Sequence, residues 1–132
     1  RQARTTEERT ETGETEIGRK SVIPYALYRA EGYISAALAN KVSNLSEEDV
    51  DLLWTAIINM FENDHSAARG KMCMQKLYVF KHSSVFGNCP SKILFDKINI
   101  TQIKDTPPRS FKDYVITIDR QMPEGVEFIE KL

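Results

Sequence analysis

SEEDVDLLWTAIINMFE, residues 46–62, is the stretch that decides the fold class. Ser46 offers a side-chain oxygen to the free N–H groups at a helix start, and Asp49 follows three positions on, which makes a capping box with Asp in place of Glu. Glu47, Glu48 and Asp49 place their carboxylates in the first turn, where the helix dipole favours negative charge. Val50, Leu53, Trp54, Ile57, Ile58 and Phe61 then recur at three-and-four spacing, which gathers them on one helical face. This predicts a helix over residues 46–62 with Trp54 and Ile58 buried on its stripe.

The flanks read as strands and short connections. Residues 22–36 (VIPYALYRAEGYISA) are β-branched and aromatic, which predicts a strand, or a strand pair turning near Glu31 and Gly32. Pro24 lacks an N–H and favours a strand start or an edge. Residues 63–71 (NDHSAARGK) form a polar loop. Residues 72–81 (MCMQKLYVFK) carry apolar side chains on both parities, as a central strand covered on one side by the helix would. A loop over 82–90, a short helix over 91–98 with Ser91 as its cap, and an alternating strand over 113–119 follow. Met122-Pro123-Glu124-Gly125 reads as a turn, and 126–130 as a last strand or helical turn. Strand, helix, strand, short helix, strand describes an α+β domain with an antiparallel sheet and helices on one face. An open sheet face carrying Arg, Lys and Tyr is the logic of the RNA-recognition-like (ferredoxin-like) fold.

Composition bounds the rest. The chain has 132 residues and 41% apolar side chains, enough for one ordinary domain. The absence of any long apolar run excludes a helical membrane span, so no membrane partner is expected. Residues 1–20 are rich in Thr, Glu and Arg and are expected to form a polar flexible arm before a compact domain over 21–132. With no initiator Met and so polar a start, a fragment of a longer protein is expected. Cys73 and Cys89 are too few for a disulfide scaffold, and a reduced cytoplasmic setting is the default. Overall net charge is -1, but residues 65–112 carry a net +7 and residues 41–64 a net -5. A basic middle of this kind suits a one-sided anion-binding surface, or else a set of scattered solvated lysines.

The chemistry-bearing residues argue against catalysis. His65, Cys73, His82 and Cys89 lack the close pairing of a zinc site, so no metal is expected. Asp64, His65 and Ser66 are adjacent, and adjacent side chains rarely face one another as a triad must. No glycine-rich phosphate loop is present, and no cofactor is expected. Three groups suit RNA instead. Ser66, Arg69 and Gly70 combine a small, closely approachable backbone with a guanidinium fork made for phosphate. Arg19 and Lys20 are adjacent cations at the arm–domain junction. Arg29 sits beside Tyr25, Tyr28 and Tyr33, whose rings can stack on bases if exposed.

Met60 to Met72, then Lys76 to His82 and Gly87-Asn88-Cys89-Pro90 through Leu94-Phe95-Asp96, resemble the backbone subunit of type I-C CRISPR Cascade, the Cas-seven family. Gly18-Arg19-Lys20 with Val22 to Arg29, Pro107 to Tyr114, and Pro123 to Val126 resemble it as well. Several segments in the right order make this resemblance specific. Family members are longer, and the likeness lies in their C-terminal half. The resemblance implies an RNA-recognition-like fold with insertions, incomplete here because its N-terminal half is missing. Residues 1–20 would then be an arm or part of a thumb-like insertion. It further implies a non-catalytic protein of the prokaryotic cytoplasm. Copies would line up along the guide RNA (crRNA) with other Cascade subunits and reach target DNA through the guide. Arg19, Lys20, Arg29, Arg69 and Lys81 would contact phosphates, and Tyr28 a base or ribose. Two rivals are a guide-processing endoribonuclease using His65 or His82 as general base and a purely structural interaction module.

Overall fold

Ser46 does cap the main helix. In the computed structural model, which describes residues 21–64 and 70–132, its hydroxyl accepts from Asp49 N–H at 3.1 Å. Asp49 in turn accepts from Ser46 N–H at 2.9 Å. A three-residue helix, α1 (Ala36–Leu38), runs into a π turn (Ala39–Ser43) and stops at Asn44, whose φ of 49° is left-handed. The main helix, α2, spans Glu47–Asn59. Then follow β1 (Tyr78–His82), the short helix α3 (Ser91–Phe95), β2 (Ile98–Gln102), a 3-10 turn (Phe111–Asp113), β3 (Tyr114–Ile118) and β4 (Val126–Glu130). The protein is therefore α+β with small antiparallel sheets, compatible with an RNA-recognition-like or ferredoxin-like fold.

The four described strands form two antiparallel ribbons. β1 pairs with β4, so that Phe80 faces Phe128 and Lys81 faces Glu127. β2 pairs with β3, and Ile98 and Ile100 face Ile118 and Ile116. The alternate parity of the second ribbon holds Asn99, Thr101, Val115 and Thr117, all exposed. That is the period-two pattern of a half-buried antiparallel ribbon.

Aromatic rings join the parts. Phe80 and Phe128 stack at 5.3 Å, Tyr78 meets Phe128 at 5.6 Å, and Phe95 of α3 stands edge-on to Phe80 at 6.4 Å and to Tyr33 at 5.6 Å. Two ion pairs tie α2 to the first ribbon and the residue after it: Glu47 with Lys81 at 3.4 Å and Asp51 with Lys131 at 3.2 Å. Leu94 and Ile98, one turn apart at the α3–β2 junction, are 2% and 8% exposed and are the buried apolar residues among those described.

Several expectations are corrected. Residues 21–35 form no strand and have no ladder partner among the described residues. β-propensity reports fit to a pleated, half-buried surface, and with no neighbouring strand among the described residues the pattern alone makes no ladder. Paired structure in 72–81 begins at Tyr78, and among the described residues β1 has the single neighbour β4 rather than a central place. Pro90, not Ser91, is the residue before α3, and the Ser91 hydroxyl lies 3.3 Å from that of Tyr33. Val50, Trp54, Ile57, Ile58 and Phe61 face inward as expected, yet all are only half-buried, and Leu53 is 38% exposed.

Acid should weaken the fold from one identifiable direction. The N–H groups of Arg109 and Ser110 donate to the Asp113 carboxylate at 2.7 and 2.9 Å and hold its pKa below the ordinary value. Ser46 does the same for Asp49, and the Lys97 ammonium for Asp119. A carboxylate with a depressed folded pKa contributes its stability above the unfolded value, about pH 4, and loses it as pH falls through the lower folded value. Urea unfolding followed below pH 4 should therefore show falling stability, with a shallower fall in Asp113→Asn. An unchanged slope in that variant would remove Asp113 from the set.

Candidate nucleic-acid interface

The residues expected to touch RNA fall into two groups. Arg19, Lys20, Ser66 and Arg69, with the arm over 1–20 and His65, lie outside the described residues. Tyr28, Arg29, Gly70 and Lys81 lie within them.

Tyr28 is 78% exposed on the extended segment, while Tyr25 turns inward, its ring centroid 6.4 Å from that of Tyr114. Burial, followed by the neighbouring Tyr114, pushes the Tyr25 phenol above its ordinary pKa. Alternate positions thus serve packing and display. Arg29 is engaged by the protein itself. Its two terminal nitrogens donate to the carbonyls of Ile98 at 2.8 Å and Phe95 at 2.7 Å, and the second also meets Glu31 at 2.9 Å. Phe95 ends α3 and Ile98 opens β2, so the planar fork bridges a carbonyl on each side of the junction, the first of them one that a terminating helix leaves open. The tyrosines hid this role from sequence reasoning, which saw a cation beside rings.

Gly70 has a φ of +66°, and a side chain there would meet no atom within 4 Å. Its backbone angle, not crowding, calls for glycine. Lys81 projects from β1 beside α2. Its pair with Glu47 has both side chains more than half exposed, and such a pair contributes about 0–1 kcal/mol. Lys81 can therefore change partner at little cost. Elsewhere in the basic middle Lys92 pairs with Asp96 at 2.7 Å and Lys97 with Asp119 at 2.6 Å. Lys71, Lys76, Lys104, Arg109 and Lys112 are exposed and have no ion pair among the described residues.

Beside Lys81, an open depression of about 370 Å³ is lined by Lys81, His82, Ser83, Gly125, Val126 and Glu127. His82 accepts from Asn88 N–H through Nδ1 at 2.9 Å. This imidazole therefore orders a loop with one nitrogen, a structural use separate from general-base chemistry. Cys73 and Cys89 are free thiols, and no cluster of three or more metal-ligating side chains occurs among the described residues. No described helix is long and apolar enough to cross a membrane.

Sequence reasoning overlooked residues 83–88, taking them for a plain connection. The loop holds Phe86, which is 92% exposed. Its sequence signal is an apolar pair, Val85-Phe86, set among the turn formers Ser83, Ser84, Gly87 and Asn88.

The sequence model of a family described as CRISPR-associated protein Cas7 matches residues 1–119. No curated protein matches the chain.

Proposed function

Because the chain belongs to the Cas7 family of CRISPR-associated proteins, whose members are RNA-binding backbone subunits of antiviral CRISPR complexes, we propose that it is a non-catalytic guide-RNA-binding subunit of a type I-C Cascade. The family match over residues 1–119 carries this reading. Copies of the chain would grip the guide's sugar–phosphate backbone and leave its bases to read target DNA by pairing. Tyr28 and Lys81 are exposed and able to reach a ligand. Arg19, Lys20, Ser66, Arg69 and Gly70 extend the same proposed contact. Arg29 would act through its hold on the α3–β2 junction as much as through phosphate. Further copies, other Cascade subunits and a prokaryotic cytoplasmic setting belong to the same reading.

Phosphate contacts predict a sequence-blind effect. In titrations of single-stranded guide RNA at several salt concentrations, Lys81→Ala and Arg69→Ala should weaken binding about equally for unrelated sequences. Each should lower the salt slope by about 0.7, because one fewer counterion is released. Unchanged affinity and slope in both variants would leave the basic middle as a solvated face. A loss that depends on base sequence would mean that the contacts read bases.

A further inference from the structure

The Ser83–Asn88 loop is tied at many points for its size. Ser83 N–H donates to the Gly125 carbonyl at 2.9 Å, and Asn88 N–H to His82 at 2.9 Å. The Asn88 side-chain oxygen accepts from Ser84 N–H at 3.1 Å, Gly87 N–H donates to the Ser84 carbonyl at 3.0 Å, and Phe86 N–H donates to the Ser84 hydroxyl at 3.3 Å. Gly87, with a φ of +86°, folds the loop back against the His82 ring. A loop held this way displays Phe86 in a set position, 92% exposed. Burial would have stabilised the ring by roughly 1.5–3 kcal/mol, and the loop forgoes it.

The surroundings indicate what the ring meets. Lys81 through Phe95 contains Lys81, His82 and Lys92 and no acidic residue. Lys81 and Lys92 are held only by exposed ion pairs that an incoming phosphate can displace. Glu127 is the acidic residue lining the depression at the foot of the loop, directly across the ribbon from Lys81. Phe86 follows Lys81 by five residues and precedes Lys92 by six, and a preorganised aromatic with exchangeable cations close in the chain is the combination that binds single-stranded nucleic acid.

We infer that Phe86 is a base-stacking residue: an unpaired base of single-stranded RNA lies on its ring while a neighbouring phosphate sits at Lys81. This rests on the RNA-binding reading above and names a contact it does not require. Asn88, His82 and Gly125 are positioning residues that hold the loop.

The test titrates a fluorescently labelled oligouridylate with the full chain and its variants. Phe86→Ala should weaken binding about 5–150-fold with the salt slope unchanged, because a ring and no charge is removed. Phe86→Leu, apolar but without a π face, should bind as weakly as Phe86→Ala. Phe86→Trp should keep its affinity and show fluorescence quenched by RNA, as stacking requires. Circular dichroism should match wild type throughout, since the side chain is exposed. If Lys81→Ala weakens binding while Phe86→Ala does not, the RNA-binding reading stands and the stacking role is overturned. Full affinity in Phe86→Leu overturns stacking as well. So does an RNA affinity untouched by Phe86→Ala in a variant whose self-association, followed by sedimentation, is lost: the ring is then a protein contact. A wild-type chain that binds no oligouridylate overturns both readings.

Discussion

Leu94→Ala is expected to cost about 2–5 kcal/mol, read as a drop in the urea midpoint at unchanged m-value. Leu94 is 2% exposed, at the end of α3 and one turn before Ile98. Truncation removes transfer energy and leaves a cavity. The cavity is hard to close, because α3 is pinned on both sides: Arg29 binds the carbonyls of Phe95 and Ile98, and Phe95 is wedged between Tyr33 and Phe80. A domain's whole stability is only about 5–15 kcal/mol, and few other described side chains share the burial, so this variant should be close to unfolded at moderate urea. Leu52→Ala provides the control. Leu52 is 68% exposed on α2, and its loss should stay within about 0.5 kcal/mol. Equal effects for the two would place the core elsewhere than the α3–β2 junction.

Gly125→Ala is expected to cost about 2–4 kcal/mol, from left-handed backbone strain together with overpacking. Gly125 has a φ of +78°, and a methyl group there would overlap the Asn88 amide and stand 2.7 Å from the Ser83 hydroxyl. The atoms in the way belong to short side chains tied into the 83–88 loop, so making room breaks the bond between Asn88 and Ser84 N–H. Amide exchange should accelerate at Ser84 and Asn88 before it does in β2 or β3. RNA affinity should fall with it, though no charge or ring has been touched. Gly32→Ala, where a side chain would meet nothing within 4 Å and the angle is ordinary, should be nearly neutral. Protection at Ser84 equal to wild type in Gly125→Ala would show that the loop does not depend on this close approach.

The sequence by itself determined the local elements whose information is local. Ser46 and Asp49 sit three apart, so their capping box needs nothing beyond one helical turn. Tyr114, Ile116 and Ile118 share one parity, and burial alternates along the strand as its period of two requires. The basic middle and the family-bearing segments were equally legible, because charge and motif are properties of the chain order. Tertiary structure decided everything that depends on a partner. Residues 22–35 have strand composition but no ladder partner among the described residues, so they form no strand there. β2 was hidden because Ile98 follows directly on a helical segment, and only its pairing with β3 makes 98–102 a strand. Arg29 reads as a free cation until Phe95 and Ile98, more than sixty residues away, bring their carbonyls to it. Phe86 reads as an ordinary loop residue until Gly125, His82 and Asn88 hold the loop outward. A hydrogen bond or a clash between distant residues exists only after the chain has folded, and periodicity carries no record of it.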